Sequence, residues 1–336
     1  MSHQILFVGI IVGVALCFDF TNGMHDSANA VATIVATRVL TPIQAVFWAA
    51  FWNVAAFFIF GTAVAKTIGS GMIDIHAVTP WVVLAGLLGA IGWNIFTLVL
   101  GIPTSSSHAI IGAYAGAAVA KAGFGVLLPS GWTKTLLFIV LAPLIGFVLG
   151  GLLLVISTWI MEWGKSTPAR INPWLKRVRL LSAAAYSLGH GGNDAQKTMG
   201  IITGLLFSAK LIPTFHIPVW VALSAYGAIG LGTLFGGWRI VKTMGTGIAK
   251  LRSLDAFCAE FASAASIFLS TMLGIPVSTT HVITGAISGT RAVSRVSAVR
   301  WNTTFSIVWA WVFTIPGAAV LAWGIYRIAA LCGVAS

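Results

Sequence analysis

The stretch GIPTSSSHAIIGAYAGA, residues 101–117, is written again as GIPVSTTHVITGAISGT at residues 274–290, with nine identities in register. In both copies a Gly-Ile-Pro break is followed by hydroxyl residues, a histidine and a small-residue face carrying GxxxG. The first copy supplies Thr104, Ser105, Ser106, Ser107 and His108; the second supplies Ser278, Thr279, Thr280 and His281 after Val277. Proline ends an apolar helix, and Ser or Thr at the start of the next helix caps its free N–H groups. Each copy therefore reads as a helix, a polar elbow and a second helix whose positive end faces the elbow. Capping alone explains either copy but does not require the same nine residues twice, so the repeat points to a functional site at the elbows.

Outward from the elbows the chain is apolar. Of its 336 residues, 8% are charged and 58% hydrophobic, and its mean hydropathy is +0.97. A soluble protein of this length needs far more charge for its surface, so the composition indicates an all-α polytopic membrane protein. The formal net charge of +12 needs no nucleic-acid partner, because Lys and Arg cluster in connections as the positive-inside rule expects. Cys17, Cys258 and Cys332 are scattered in apolar runs, so neither a disulfide framework nor a metal site is indicated. The run at residues 5–18 lacks the basic start and cleavage pattern of a secretory signal and reads as a retained membrane segment.

Twelve apolar runs give about 12 helical segments, several of them shorter than the ~20 residues needed to cross the hydrocarbon layer. Runs such as 5–19 with 26–38, and 181–190 with 194–208, read as broken helices; residues 78–120 and 256–290 read as re-entrant hairpins. Such backbone is tolerated only where it lines a polar cavity. The expected organisation is a first repeat at 1–161, a basic cytoplasmic loop at 162–180 and a second repeat at 181–336. Arg38, the central group of Lys165, Arg170, Lys176, Arg177 and Arg179, and the clusters Arg239 to Arg252 and Arg291 to Arg300 should face the cytoplasm. Three crossings per half then invert the second repeat relative to the first and leave both termini external, or periplasmic, at the cell membrane.

Asp19, Asp26, Asp194, Asp255 and Glu260 sit in or beside apolar segments, where an acid without a partner is costly and by default functional. Asp26 lies in NGMHDSANA and Asp194 in GHGGNDAQK, 168 residues apart against 173 for the elbows, so they are repeat partners. A carboxylate among Asn and Ser oxygens suits a hard cation or a proton: Asp26 with Asn22, Ser27 and Asn29, and Asp194 with Asn193 and Gln196. A buried Asp capping a half-helix is the structural alternative, and either use requires unwound backbone there. Asp19, Asp74 and Asp255 are weaker candidates, since each lies near a segment end where solvation is the alternative. His25, His108, His190 and His281 adjoin these motifs and read individually as hydrogen-bonded structural histidines.

At these residues the chain resembles the inorganic phosphate transporter (PiT) family. The resemblance rests on NGMHDSANAVATIVATRVLTP, SLGHGGNDAQKTMGIITG, GIPTSSSH, GIPVSTTH and EFASAASIFLSTMLGIPVSTTH, in order over nearly the whole chain. It lacks the long central insertion of animal members and looks like a compact bacterial low-affinity form. The resemblance implies secondary transport of phosphate coupled to a cation, a transport domain against a scaffold domain, and a homodimer in lipid. No cofactor is implied beyond the co-transported cation.

Two half-helix N-termini meeting from opposite leaflets suit a tetrahedral oxyanion. The expectation is that Ser105, Ser106, Ser107, Ser278, Thr279 and Thr280 hold phosphate, with Thr104 peripheral, and that Asp26, Asn29, Asn193 and Asp194 handle the co-ion with Glu260 in support. Where sodium-coupled members read NDxxN in the second signature, this chain has Lys197 opposite Asn29, and it has Asn53 where animal members carry Glu. An ammonium paired with Asp194 would substitute for one bound cation, which favours proton over sodium coupling; a Lys197 that only snorkels to an interface is the alternative. Phosphate as a divalent-metal complex, sodium coupling and a carrier of sulfate remain open. A channel fits inverted repeats less well. A membrane-embedded hydrolase is disfavoured, since GxSxG and HExxH are absent and the polar groups come as like pairs.

Overall fold

The computed structural model describes residues 2–165 and 168–334, with side chains described over residues 3–165 and 173–334. Among these residues the regular elements are helices, apart from the isolated bridges Ile73–Leu127 and Ala249–Val299. The same series occurs twice. In the first half a long helix α1 (Ser2–Ala36) is followed by α2 (Pro42–Ala55) and α3 (Ala63–Ser70), by α4 (Pro80–Leu100) and α5 (Ser106–Ala122) around the first elbow, and by α6 (Pro129–Trp163) with Pro143 inside it. In the second half α7 (Pro168–Ser208) leads to α8 (Val219–Phe235) and α9 (Trp238–Lys242), then to α10 (Ser253–Met272) and α11 (Thr279–Ser294) around the second elbow, and to α12 (Trp301–Leu331) with Pro316 inside it.

Among the described residues five helices are long and apolar enough to cross a membrane, or seven if each bent pair is one span. Large apolar side chains such as Phe47, Leu144, Val148 and Trp309 stand exposed on the outside. Such an apolar surface belongs in lipid.

Each elbow is built as its sequence dictates. Gly101 at φ 71° and Gly274 at φ 69° take the left-handed conformation that ends α4 and α10, which a side chain would strain. The N–H of Ile102 bonds back to the Thr97 carbonyl, and the N–H of Ile275 to Ser270, closing the helix ends in the same way. Ser105 and Ser278 then cap α5 and α11, accepting from the N–H groups of His108 and His281.

One break falls in each half, but not at the acidic signatures. Helices α1 and α7 run unbroken through Asp26 and Asp194. The bends lie instead between α2 and α3, at 84°, and between α8 and α9, at 66°. Partners on opposing elements explain the continuity: the polar side chains of the signatures are satisfied there, so the backbone has no reason to unwind. The freed N-termini of the short helices take caps from the signatures, Gln196 Oε1 accepting from Val64 N–H at 2.9 Å and Ser27 Oγ from Gly237 N–H at 2.8 Å. Ser27 and Gln196 are therefore cap residues rather than cation ligands. The loop expected at 162–180 is also mostly helical, with Pro168 at the first position of α7, where proline is tolerated, and Pro173 inside the helix. Arg170 falls among residues 166–172, whose side chains lie outside the description, and Arg179 is fully buried.

The elbow helices are exchanged between the halves: α5 packs on α12, and α11 on α6. Their GxxxG faces make this possible within one chain. A β-carbon on Gly285 would stand 2.1 Å from the Pro143 carbonyl oxygen, and one on Gly112 would stand 2.5 Å from that of Ile315. Buried apolar residues form two cores. One takes Val8 to Phe18 of α1, much of α5 and Ala195 to Leu206 of α7; the other takes Ala28 to Ile34 of α1, Tyr186 of α7 and much of α11. Both signatures thus cross from one core to the other through a polar layer.

Candidate functional site

That polar layer is where the two elbows meet, and they bond to each other reciprocally. Ser107 Oγ donates to the Val277 carbonyl at 3.2 Å, and Thr280 Oγ1 donates to the Thr104 carbonyl at 3.1 Å. By the repeat, Ser107 corresponds to Thr280 and Thr104 to Val277, so these are one contact made twice. Each hydroxyl also receives a donor from a signature helix. Asn29 Nδ2 bonds Thr280 Oγ1 at 2.8 Å, and Lys197 Nζ bonds Ser107 Oγ. Asn29 and Lys197 stand at the same offset as Asp26 and Asp194, so the second pair of contacts also repeats, with an ammonium in place of an amide.

Around this crossing the two acids are held differently. Asp26 takes His25 Nδ1 on one oxygen at 2.8 Å and Ser106 Oγ on the other at 2.5 Å, and Ser106 lies 2.6 Å from Asn22 Oδ1 as well. Asp194 is paired with the Lys197 ammonium, which also reaches the Val277 carbonyl at 3.0 Å. Its second oxygen has no hydrogen bond, with His190 Nε2 3.4 Å away, and Thr279 Oγ1 is likewise buried and unpartnered. Ligand atoms of Asp26, His190 and Asp194 lie within 4.8 Å of one another. An acid pair this close needs intervening positive charge. Lys197 is 1% exposed, so it is an internal ion-pair partner and does not snorkel.

Other residues expected at the site stand beside it. The Ser105 and Ser278 hydroxyls cap their helices, and the Thr104 hydroxyl turns to Thr97 and His25, at 3.0 and 3.3 Å. Asn193 braces the second elbow through Thr271, the Ile275 carbonyl and the Val277 N–H. Glu260 lies apart, opposite Thr33, seven residues and so about 10 Å along α1 from Asp26. Arg179 reaches it at 2.9 Å, while Ser182 and Thr33 donate to it. Asp255 is buried between Arg252 and Arg291 rather than solvated, and Asp19 is fully buried too. Asp74, partly exposed, accepts from the His76 N–H. Asn53 bonds Thr233 and His190. His108 and His281 meet edge to face, with ring centroids 4.5 Å apart, and His281 stacks on Trp311.

Sequence reading missed Arg179 as the partner of Glu260, and Tyr186, whose hydroxyl donates to the Thr279 carbonyl at 3.2 Å. Glu260 in an apolar run called for a cation, but its local sequence gave no register to one 81 residues away.

The crossing offers four hydroxyls on the first turns of two helices: Ser106 and Ser107 on α5, Thr279 and Thr280 on α11. First-turn N–H groups have no partner within their helix, and both helix dipoles present their positive ends here. Such a centre suits a small oxyanion, with carboxylates at hand to link its binding to a cation. A cavity of about 360 Å³ on the far side of His281 is apolar and lined from α6, α11 and α12, which fits lipid rather than an anion.

Comparison with known proteins places these features in context. The model of the phosphate transporter family matches residues 22–170 and 161–322. A probable low-affinity inorganic phosphate transporter of Rhizobium meliloti (strain 1021) is 54% identical over 317 residues, 94% of this chain and 94% of that protein. One of the same description from Bacillus subtilis (strain 168) is 46% identical over 324 residues, 96% of each chain. A solved structure described as the sodium-dependent phosphate transporter has a TM-score of 0.86 at 22% identity, covering 97% of this chain and 99% of that one. At that identity the likeness speaks for the fold.

Proposed function

Since this chain belongs to the phosphate transporter family, we propose that it carries inorganic phosphate across the cell membrane by alternating access, with a proton as the co-transported cation. The observation that carries this reading is the Lys197 ammonium, which joins Asp194, the Ser107 hydroxyl of one elbow and the Val277 carbonyl of the other. A fixed cation already stands against one acid of the pair, so the site needs one positive charge fewer from solution. Phosphate would enter by replacing the inter-elbow bonds, taking Ser106, Ser107, Thr279 and Thr280 as its hydroxyl donors, while Ser105 and Ser278 keep the caps. With the anion present, Asp26 and Asp194 repel it unless a proton joins Lys197 in neutralising the pair, and the loaded core is the one that switches. The two halves, 1–161 and 181–336, would be inverted repeats whose elbow helices rock against α6 and α12.

A second reading, sodium coupling, draws on the cluster of Asp26, His190 and Asp194, which has the spacing of a cation site. Uptake of labelled phosphate into proteoliposomes, with proton and sodium gradients imposed separately and excess sulfate as competitor, decides between them. The expected result is uptake driven by the proton gradient, indifferent to sulfate and lost in Asp26→Asn. Uptake requiring sodium would replace the proton by sodium; block by sulfate would make this a sulfate carrier, and wild-type uptake by Asp26→Asn would remove the acid pair from the mechanism.

A further inference from the structure

Asp19 is a buried acid that the central site does not use. It is 0% exposed, and its single hydrogen bond is from Thr198 Oγ1 of α7 to Oδ1 at 2.5 Å; Oδ2 has no partner. A carboxylate offers about four lone-pair sites and is costly to bury with most of them empty, whereas the neutral acid needs far less. Every other buried acid here has a cation or imidazole beside it: His25 for Asp26, Lys197 for Asp194, Arg252 and Arg291 for Asp255, and Arg179 for Glu260.

The helices packed on α1 leave Asp19 without such a partner. Helices α2 and α4 carry no ionisable residue and α8 only Tyr226. Arg239 of α9 is turned to the Val99 carbonyl, and Glu260 of α10 lies at the opposite end of the polar layer, facing Thr33. His108 of α5 and His281 of α11 face each other. The Thr198 that holds Asp19 follows Lys197 directly on α7 and lies one helical turn from Asp194, so the charges nearest along that helix are those two.

We propose that Asp19 is a second proton-binding site, separate from the Asp26 and Asp194 pair, whose protonation sets how firmly Lys197 holds the two elbows together. With the proton on, Lys197 has one carboxylate to serve and bridges Asp194, Ser107 and Val277. With the proton gone, a second carboxylate beside Thr198 competes for the same ammonium, and the grip on Ser107 and Val277 weakens. The Thr198 hydroxyl serves both states, since it donates to a carboxylate and accepts from an acid. The proton is taken from, and returned to, water on the face to which the core opens. This rests on the proton-coupled reading above.

The test uses the full chain in proteoliposomes and inorganic phosphate. The readouts are the ratio of uptake with and without an inside-alkaline gradient, and the infrared band of protonated carboxyl groups followed as pH is raised. In Asp19→Asn the ratio is expected to fall while staying above one, since the Asp26 and Asp194 pair still takes its proton, and a carboxyl band to be lost; Asp19→Glu should restore both. A wild-type ratio in Asp19→Asn, or an unchanged carboxyl band, overturns the proposal. Should wild-type uptake not respond to the gradient, the proton-coupled reading fails by itself, and the band still decides whether Asp19 holds a proton. Should Asp19→Asn not fold, Thr198→Val keeps the acid and removes its one partner. The Asp19 band should then shift, and an unmoved band overturns the assignment.

Discussion

Replacing Lys197 by Asn converts the second signature to the pattern of the first, where Asn29 already stands. The ammonium it removes is, among the described residues, the fixed positive charge bonded to Asp194, and it also donates to Ser107 and to the Val277 carbonyl. Taking one partner from a buried ion pair costs roughly 3–5 kcal/mol, and the amide returns at most about 1 kcal/mol through a neutral hydrogen bond. A net shortfall of about 3 kcal/mol corresponds to roughly 150-fold at 1.4 kcal/mol per tenfold. Lys197→Asn is therefore expected to lower phosphate uptake about 100-fold in sodium-free proteoliposomes. Sodium, free to sit against Asp194 in the cluster it forms with Asp26 and His190, should bring it back to within tenfold of wild type. The assay is a sodium titration of uptake at fixed proton gradient, with thermal unfolding in detergent as the control for folding. Unchanged uptake without sodium would refute the reasoning, and so would a folded variant that sodium fails to rescue.

Two further substitutions test the frame around the site. Arg179→Met strands the Glu260 carboxylate with only hydroxyl donors and should destabilise the protein by roughly 3–5 kcal/mol, whereas Arg179→Met with Glu260→Met should recover most of that loss; thermal unfolding of the singles and the double measures it, and additive losses would mean the pair is not coupled. Gly285→Ala puts a methyl 2.1 Å from the Pro143 carbonyl oxygen and must push α11 off α6, at a cost of about 1–3 kcal/mol. Gly9→Ala in α1, with nothing within 4 Å, should be neutral or slightly stabilising by the same measurement. Equal effects at the two glycines would sink the close-packing account of the exchanged helices.

The elbows were legible because everything that makes them is local: Gly101 and Gly274 to stop a helix, Ser105 and Ser278 to start the next. The signatures were half legible. Their acids are buried at the meeting of the elbows, but polar content was read as broken backbone, and α1 and α7 are whole because Asn29, Asp26, Asn193 and Lys197 are satisfied by elbows from other parts of the chain. The true breaks carry a signal that was passed over, Gly61 in one half and the Gly236 and Gly237 pair in the other, with Gly236 at φ 68°. Arg179 was assigned to a loop by the company it keeps, Lys176 and Arg177, which are exposed while it is buried. Residues 81 apart, such as Arg179 and Glu260, leave no periodic trace that a sequence pattern can register.

The departure from symmetry at the crossing bears on coupling. Ser107 and Thr280 each bond the backbone of the other elbow and take a donor from a signature helix, so neither elbow moves without breaking contacts in both halves. If both signature donors were amides, the two acids would depend wholly on ions from solution for their neutralisation. With Lys197 on one side and Asn29 on the other, the second acid carries its counter-charge within the chain, while Asp26 has only an imidazole whose charge follows its own proton. In the proton-coupled reading proposed above, the Asp26 proton enters on the first half, where His25 links Asp26 to Thr97 and Thr104 at the edge of the first elbow. In that reading, protonation there would change the donors that hold Thr104, the residue whose carbonyl anchors Thr280 of the second elbow, and a single proton would reach both hairpins through bonds already in place.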